Sequence, residues 1–598
     1  MLARLKYVVF FVDILLLNPI RAGEECPANF SNANCLQLEQ IKSSINKMWN
    51  PCENFYEYAC GKWSSQSGNY TSAKEMVDYK YNMELIRILE TIDEAFLQED
   101  FFNKTLVYYQ SCINTGDRRN SYRGYLDIIK PGKNLEWPLL WKLHKENVGK
   151  QWPAEEFDVY ELLGRLWRYG LKHVVIKPEI YENMVILTPP EANLLDMVNV
   201  KDKLKLLGLS EDEASDKLWQ LYSVQWTWHS AYKMYSSQKK PPTYHDIQDF
   251  HPSLNKYIQS SGIQNHITNA TFKISNIDYF KFIQTKISSA NEKENVCNLI
   301  MLHLLQHLIG EQGTGANTKL DCIKVVRHDF ELPLTFLYYS KIYELNVKNK
   351  YSDIKMIFHQ IRESLKKLLE DNKSEYLNIE DLLAHINKTS INVGNQPRTV
   401  RHTYVRPLFA DIPQLQPNNY YFNHVHLLRH RMAVSWKSSQ YRTHVMYSND
   451  SEIGSSSTPF YDAKRSMLIL PFGTLQPPIY HADLHPIFKF SKLGYLLAEN
   501  ILYTPAYLPW IVKMGYNYNH VNHDRVLGPV SVAYYAYLNH QPEDLLQPEF
   551  TSIPWRKLFF VNIVQLFCIN DPMARFANYY LFWFLRSFPG FDDAFYCY

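Results

Sequence analysis

Histidines spaced four apart are the first residues in this 598-residue chain whose types and spacing could do chemistry. His303/His307, His426/His430 and His481/His485 each fit one face of a helix, where two imidazoles can grip a metal ion. None has a Glu directly after its first histidine, so none carries a group placed to activate a metal-bound water. Helix-surface or pocket-rim positions are the plainer expectation for all three. His520-x-x-His523-Asp524 is a fourth cluster, a loop pair that lacks a third ligand. A different signal sits in LGYLLAENILYTP, residues 493–505. Leu493, Leu496, Leu497 and Ile501 recur with the period of a buried helix, and Pro505 stops it. Inside that apolar frame lie a carboxylate, Glu499, and an amide, Asn500. No P-loop, nucleophile elbow or dinucleotide fingerprint occurs at a strand–helix junction.

The elements that must position these groups are mostly helices. From about residue 36 to 400 the pattern is helical. Residues 81–97 place Leu85, Leu89, Ile92 and Phe96 on one face, and residues 355–372 do the same with Ile357, Ile361, Leu365 and Leu368. Near 390–415 the texture changes, and four prolines in residues 394–417 break the period, which marks a domain boundary. Beyond it, RMAVSW (431–436) and MLILPF (467–472) read as strands, and helices return after about residue 490. The chain therefore reads as mainly α with a small β-sheet in its C-terminal third: an N-terminal helical domain over 23–405 and a C-terminal domain over 406–598.

Composition and processing signals narrow the partners and the compartment. Hydrophobic residues make up 46% and charged residues 21%, an ordinary globular balance, and the net charge of +2 gives no single-sign field for nucleic acid or an anionic membrane. Arg4 and Lys6 precede a short apolar run from Tyr7 to Leu17, interrupted by Asp13, that falls short of the roughly 20 residues a spanning helix needs. A cleaved signal peptide over residues 1–22 is expected, with an uncleaved anchor as the alternative. Sequons at Asn29, Asn69, Asn103, Asn269, Asn387 and Asn449 agree with an exported, glycosylated chain. Nine cysteines in an oxidising compartment should mostly pair, leaving one over, and no CxxC occurs.

NPCENFYEYACGKW (50–63) resembles the opening signature of the neprilysin family of zinc metallopeptidases, fixing two cysteines, the aromatics and a Cys-Gly-x-Trp ending. VYYQSCIN (107–114), MLILPFGTLQPPIY (467–480), VAYYAYLNH (532–540), LFFVNIVQLFC (558–568) and DDAFYC (592–597) resemble later family segments in the family's order. The resemblance spans the chain after the signal peptide. It implies a two-lobed, largely helical ectodomain with disulfides Cys52–Cys597, Cys60–Cys568, Cys112–Cys322 and Cys26–Cys35, leaving Cys297 unpaired.

The resemblance also implies where the zinc site should be. Counted from Pro478, the first ligand histidine of His-Glu-x-x-His falls on Glu499, the catalytic Glu on Asn500 and the second histidine on Tyr503. Counted back from Ala533-Tyr534, the third ligand falls on Asn522 and the Asp that orients a ligand histidine on Val526. The peptide-docking Asn-Ala-Tyr-Tyr appears as Thr458-Pro459-Phe460-Tyr461, the carboxylate-clamping Arg falls near Tyr580, and no histidine follows His540. A shifted register, with Glu499 as the base, puts Ala498 and Leu502 at the ligand positions. The reading is a degenerate zincin-type helix, no bound zinc and no peptidase mechanism of this type. The expected protein is secreted and binds peptides or an active family member. The alternative is a metalloendopeptidase with a displaced metal site at His520/His523.

Overall fold

The computed structural model describes residues 32–598 apart from 64–69, 119–121, 182–183, 192–193, 237–243, 248–251, 266, 268–269, 288, 312–314, 317, 344–346, 372–378, 397–400, 441–456, 463–464, 503–520 and 598. The signal-peptide region, Cys26, Asn29, Asn69, Asn269, Asn449, Tyr503 and His520 thus lie outside the described residues, as do the side chains of Asn522, His523, Val526 and Tyr580.

The chain is mainly helical with two small sheets. It divides into two compact units, each discontinuous: Met1–Tyr81, Tyr343–Gly394 and Ser457–Tyr598 form the first, Asn82–Ile342 and Asn395–Ser456 the second. The expected division at 405/406 is therefore replaced. Residues on both sides of it share one helix, Arg401–Phe409, with Pro407 inside it. One crossing between units does fall within the proline-rich stretch, at Gly394–Asn395. There both residues adopt positive φ, +73° and +50°, a sharp change of direction.

The second unit holds a four-stranded sheet, ordered β1-β2-β4-β3, of β1 (Lys177–Tyr181), β2 (Met184–Thr188), β3 (Tyr244–Asp246) and β4 (Thr271–Ser275). Only β2 and β4 run parallel. This sheet corrects the reading of 36–400 as helical. Val185, Ile186 and Leu187 are all buried, so β2 shows no alternation to betray a strand. RMAVSW is also corrected: it lies in the helix Tyr420–Gln440. Val425, Leu428 and Met432 are buried at i, i+3 and i+7, and this upstream helical period runs on through the β-prone residues.

The first unit holds β5 (Ser390–Val393), β6 (Phe460–Asp462) and β7 (Met467–Leu470), ordered β5-β7-β6. The expected strand in MLILPF is β7, wholly buried at the centre, parallel to β5 and antiparallel to β6. The N-terminal signature closes onto the C-terminal helices in the same unit. Phe55 packs edge-on against Phe591 and Phe595 at 4.8 and 5.0 Å. Gln565 Nε2 donates to the carbonyls of Ile41 and Ala59 at 3.0 and 3.1 Å, and Gln37 Nε2 donates to Asn562 Oδ1 at 3.1 Å. Cys52–Cys597 and Cys60–Cys568 bridge this unit, and Cys112–Cys322 bridges the other. Cys35 is disulfide-bonded and Cys297 is a buried free thiol.

Candidate functional site

The segment LGYLLAENILYTP begins on a π-helical turn, Phe490–Gly494, and continues as an α-helix, Tyr495–Leu502. Tyr495, Leu496, Leu497, Ala498, Ile501 and Leu502 are all buried, as the apolar period requires. Two helices hold this one in place. Tyr495–Leu502 packs on Val521–His540, which in turn packs on Val347–Asp371. Gly528 marks the close approach: a Cβ there would lie 3.3 Å from Leu502. Ser364 Oγ donates to the Val532 carbonyl at 3.0 Å and ties the outer pair. Ser491 Oγ, on the π-turn, donates to the Ile487 carbonyl at 2.6 Å and accepts from Asn562 Nδ2 at 2.7 Å.

Glu499 and Asn500 are the two half-buried residues of this helix. The Tyr495 hydroxyl donates to Glu499 Oε1 at 3.2 Å, and the Asn500 amide donates to the Leu496 carbonyl at 2.9 Å, folding back on its own helix. The structure thus brings Glu499 and Asn500 together on one helix. The helix carrying Asn522 and Val526 lies against it.

Zinc prefers imidazole, thiolate and carboxylate donors, three or four at a time. The counted positions offer one carboxylate already accepting a hydrogen bond, two amides and a phenol. These residues do not fit the ion, and they support no catalytic step through zinc. Among the described residues no group of three His, Cys, Asp or Glu is placed to hold a metal.

The histidine pairs separate into other roles. His303 is buried in the helix Ala290–Glu311, where burial, aided by Lys203, pushes its imidazole down to about 4. His307 Nε2 lies 2.8 Å from the Tyr169 carbonyl. His426 packs on Phe422 and His430 on Phe409. His481 and His485 are not on a helix at all: His485 Nδ1 accepts from the Ile487 amide and caps the helix Pro486–Lys489.

Phe460 and Tyr461 lie on β6, an edge strand among the described residues. Tyr461, on it, has its hydroxyl 2.8 Å from His385 Nε2. In the same unit, Lys492 on the π-turn is buried. Burial, reinforced by Lys80, pushes its amine down to about 7. The sequence offered no signal for Lys492, because its surroundings come from residues far along the chain. Of the six sequons, Asn103 is half-buried and Asn387 exposed.

Residues 51–196 match the family model for peptidase family M13. The chain is 27% identical over 123 residues to membrane metallo-endopeptidase-like 1 of Mus musculus, covering 19% of this chain and 15% of that protein. It is 26% identical over 147 residues to neprilysin of Homo sapiens, covering 22% and 18%. The match therefore spans less than a fifth of the length of these curated relatives.

Fold similarity reaches further. A chain of the Haemonchus galactose containing glycoprotein complex superposes with a TM-score of 0.68 at 14% identity, covering 96% of this chain and 97% of that one. PEPO from Lactobacillus rhamnosis gives 0.62 at 12% identity, with 92% and 97% covered. The zinc metalloprotease ZMP1 of Mycobacterium tuberculosis gives 0.59 at 12%, with 93% and 96% covered. Signature, family-model match over residues 51–196 and fold together make this chain similar to the neprilysin-like members of peptidase family M13.

Proposed function

We propose that this chain is a secreted, glycosylated, catalytically inactive relative of the M13 metallopeptidases that binds peptides or partner proteins without cleaving them. The reading rests on the helix Tyr495–Leu502, where the count from Pro478 assigns Glu499 and Asn500 to the positions of a zincin's ligand histidine and general base, and where both side chains are engaged in hydrogen bonds within the helix. The apolar frame around them is intact, as expected of a chain that keeps its fold after losing the chemistry. Edge strand β6 supports peptide capture by strand addition, although Pro459 beside it has no N–H to donate. Three disulfides suit an extracellular life, and among the described residues no helix is long and apolar enough to cross a membrane. One fold neighbour belongs to a glycoprotein complex, which favours pairing with a partner protein.

The test is the zinc content of the secreted, tag-free protein by elemental analysis, run beside cleavage of a broad fluorogenic peptide panel with and without chelator. Zinc at background and no chelator-sensitive cleavage are expected. About one zinc per chain with chelator-sensitive cleavage would sink the reading and place the metal at a displaced site, with His520 and His523 the first residues to mutate. Peptide capture fails if no member of the panel binds the purified protein at high concentration.

A further inference from the structure

The helix Glu211–Ser236, in the second unit, carries an aromatic ladder on its solvent face. Trp219, Tyr222 and Trp226 are 72%, 41% and 54% exposed. Trp219 meets Tyr222 edge-on at 6.1 Å, Tyr222 stacks on Trp226 at 6.2 Å, and Trp226 lies 5.8 Å from the ring of His229. Spacings of three and four residues make this one continuous stripe. Large exposed aromatics in a row mark a binding surface more often than chance.

The stripe runs into a small open cleft. Gln225, Trp228, His229 and Tyr232 line it from the same helix, His303 from Ala290–Glu311, and Glu191 from the rim. Gln225 is committed to the wall: it accepts from the Leu195 amide at 2.9 Å and donates to the Leu195 carbonyl at 3.3 Å. The two imidazoles are not committed. His229 Nδ1 is buried without a hydrogen-bond partner, and the His303 ring, 5% exposed, makes no hydrogen bond among the described residues. A buried polar nitrogen such as His229 Nδ1 is rarely left this way unless something else satisfies it.

We propose that cleft and stripe together form a binding site for a neutral saccharide, its C–H face stacked on Trp226 and Tyr222 and one hydroxyl group entering the cleft between His229 and His303. A hydroxyl donates and accepts at once, which suits imidazole ring nitrogens that can serve in either role. His303 is neutral at pH 7, because burial depresses its basicity. An aliphatic side chain would leave both nitrogens unpaired. An anionic ligand would meet Glu191, and an anionic lipid surface would meet Glu211, Asp212 and Glu213 at the start of the same helix.

The full-length secreted chain is titrated with methyl β-galactopyranoside, methyl α-mannopyranoside and N,N′-diacetylchitobiose, read by tryptophan fluorescence and calorimetry. Saturable binding of at least one probe with a millimolar Kd is expected, weakened about tenfold in Trp226→Ala. Trp226 is exposed, so its removal should leave the circular dichroism unchanged. His229→Phe, which keeps a ring but no nitrogen, should weaken the same probe. Three results overturn the proposal: no saturation by any probe up to about 100 mM, binding that Trp226→Ala leaves intact, or a wild-type dimer that Trp226→Ala converts to monomer without sugar. The last result would assign the stripe to a second copy of the chain.

Discussion

Removing the two disulfides that join the N-terminal signature to the C-terminus should be more damaging together than apart, by an amount the loop lengths set. Cys52–Cys597 alone closes a separation of 545 residues and Cys60–Cys568 one of 508. In the chain-entropy account a loop of that size contributes about 6 kcal/mol. The bridges are nested, however. With the inner one formed, the outer closes only the eight residues from Cys52 to Cys60 and the 29 from Cys568 to Cys597. A loop of about 37 residues contributes about 4 kcal/mol. Either double alanine replacement, Cys52→Ala/Cys597→Ala or Cys60→Ala/Cys568→Ala, should therefore cost about 4 kcal/mol, and all four replacements about 10, which exceeds the sum of the two. The assay is guanidinium unfolding of the oxidised proteins, comparing free energies across the cycle. Costs that simply add, or a quadruple variant less affected than the sum, would refute the nested-loop reasoning.

Other changes have defined outcomes. Arg431 Nη1 lies 3.1 Å from the buried Asp329, whose other oxygen accepts from the Tyr108 hydroxyl at 2.9 Å. Arg431→Met should cost about 3–5 kcal/mol by stranding that carboxylate. Burial alone would raise the Asp329 carboxyl, but His328 and Arg431 hold it well below the carboxylate range. That stability is therefore present above the unfolded carboxylate pKa and fades as pH falls through the folded value, a fading that acid titration of Arg431→Met should no longer show in full. Glu331 behaves in the opposite sense. Although the residue keeps some exposure, burial of its carboxyl pushes it up to about 8 against the Asn395 amide at 3.3 Å and Arg327. Its contribution is whole below the unfolded value of 4.5 and is lost as pH rises through about 8. Glu331→Gln should thus melt like the parent near pH 4 and progressively above it from pH 5 to 8. Gly394→Ala should lower the melting temperature, because the backbone there has a φ of +73° and a Cβ would overlap the Phe472 ring.

The parts of the fold that were legible in the sequence are those with strong local pattern or a specific signature. Cys52, Cys60, Cys568 and Cys597 sit in motifs that imply their partners once the resemblance is seen, and the bridges are as implied. The apolar frame of Leu496, Leu497 and Ile501 gave a buried helix, and it is one. The sheet β1–β4 was not legible, because β2 is apolar throughout and carries no period of two. RMAVSW misled because a few β-branched and aromatic residues weigh little against a helix already under way from Tyr420. At the site, the positions of Glu499 and Asn500 could be counted, but their hydrogen bonds to Tyr495 and Leu496 needed coordinates. The cleft beside Trp226 was illegible for another reason. His229 and His303 are 74 residues apart in sequence, and nothing local says that one helix lays them beside the other.

The closing of the signature onto the C-terminal helices sets a timetable for biosynthesis. Cys60 must wait for Cys568, 508 residues later, which at about 5–20 residues per second is roughly 25–100 s of translation. Through that interval Phe55 and Tyr56 lack the C-terminal rings that finally cover them, Phe591 and Phe595 on Phe55 and Phe582 on Tyr56. Cys112 and Cys322 both emerge within that interval, so the earlier thiols of Cys52 and Cys60 spend most of it within reach of wrong partners. The nascent N-terminus is therefore a client for chaperones and disulfide isomerases until the last helices arrive, and yield in a heterologous host should respond to those two factors more than to any change in the finished core.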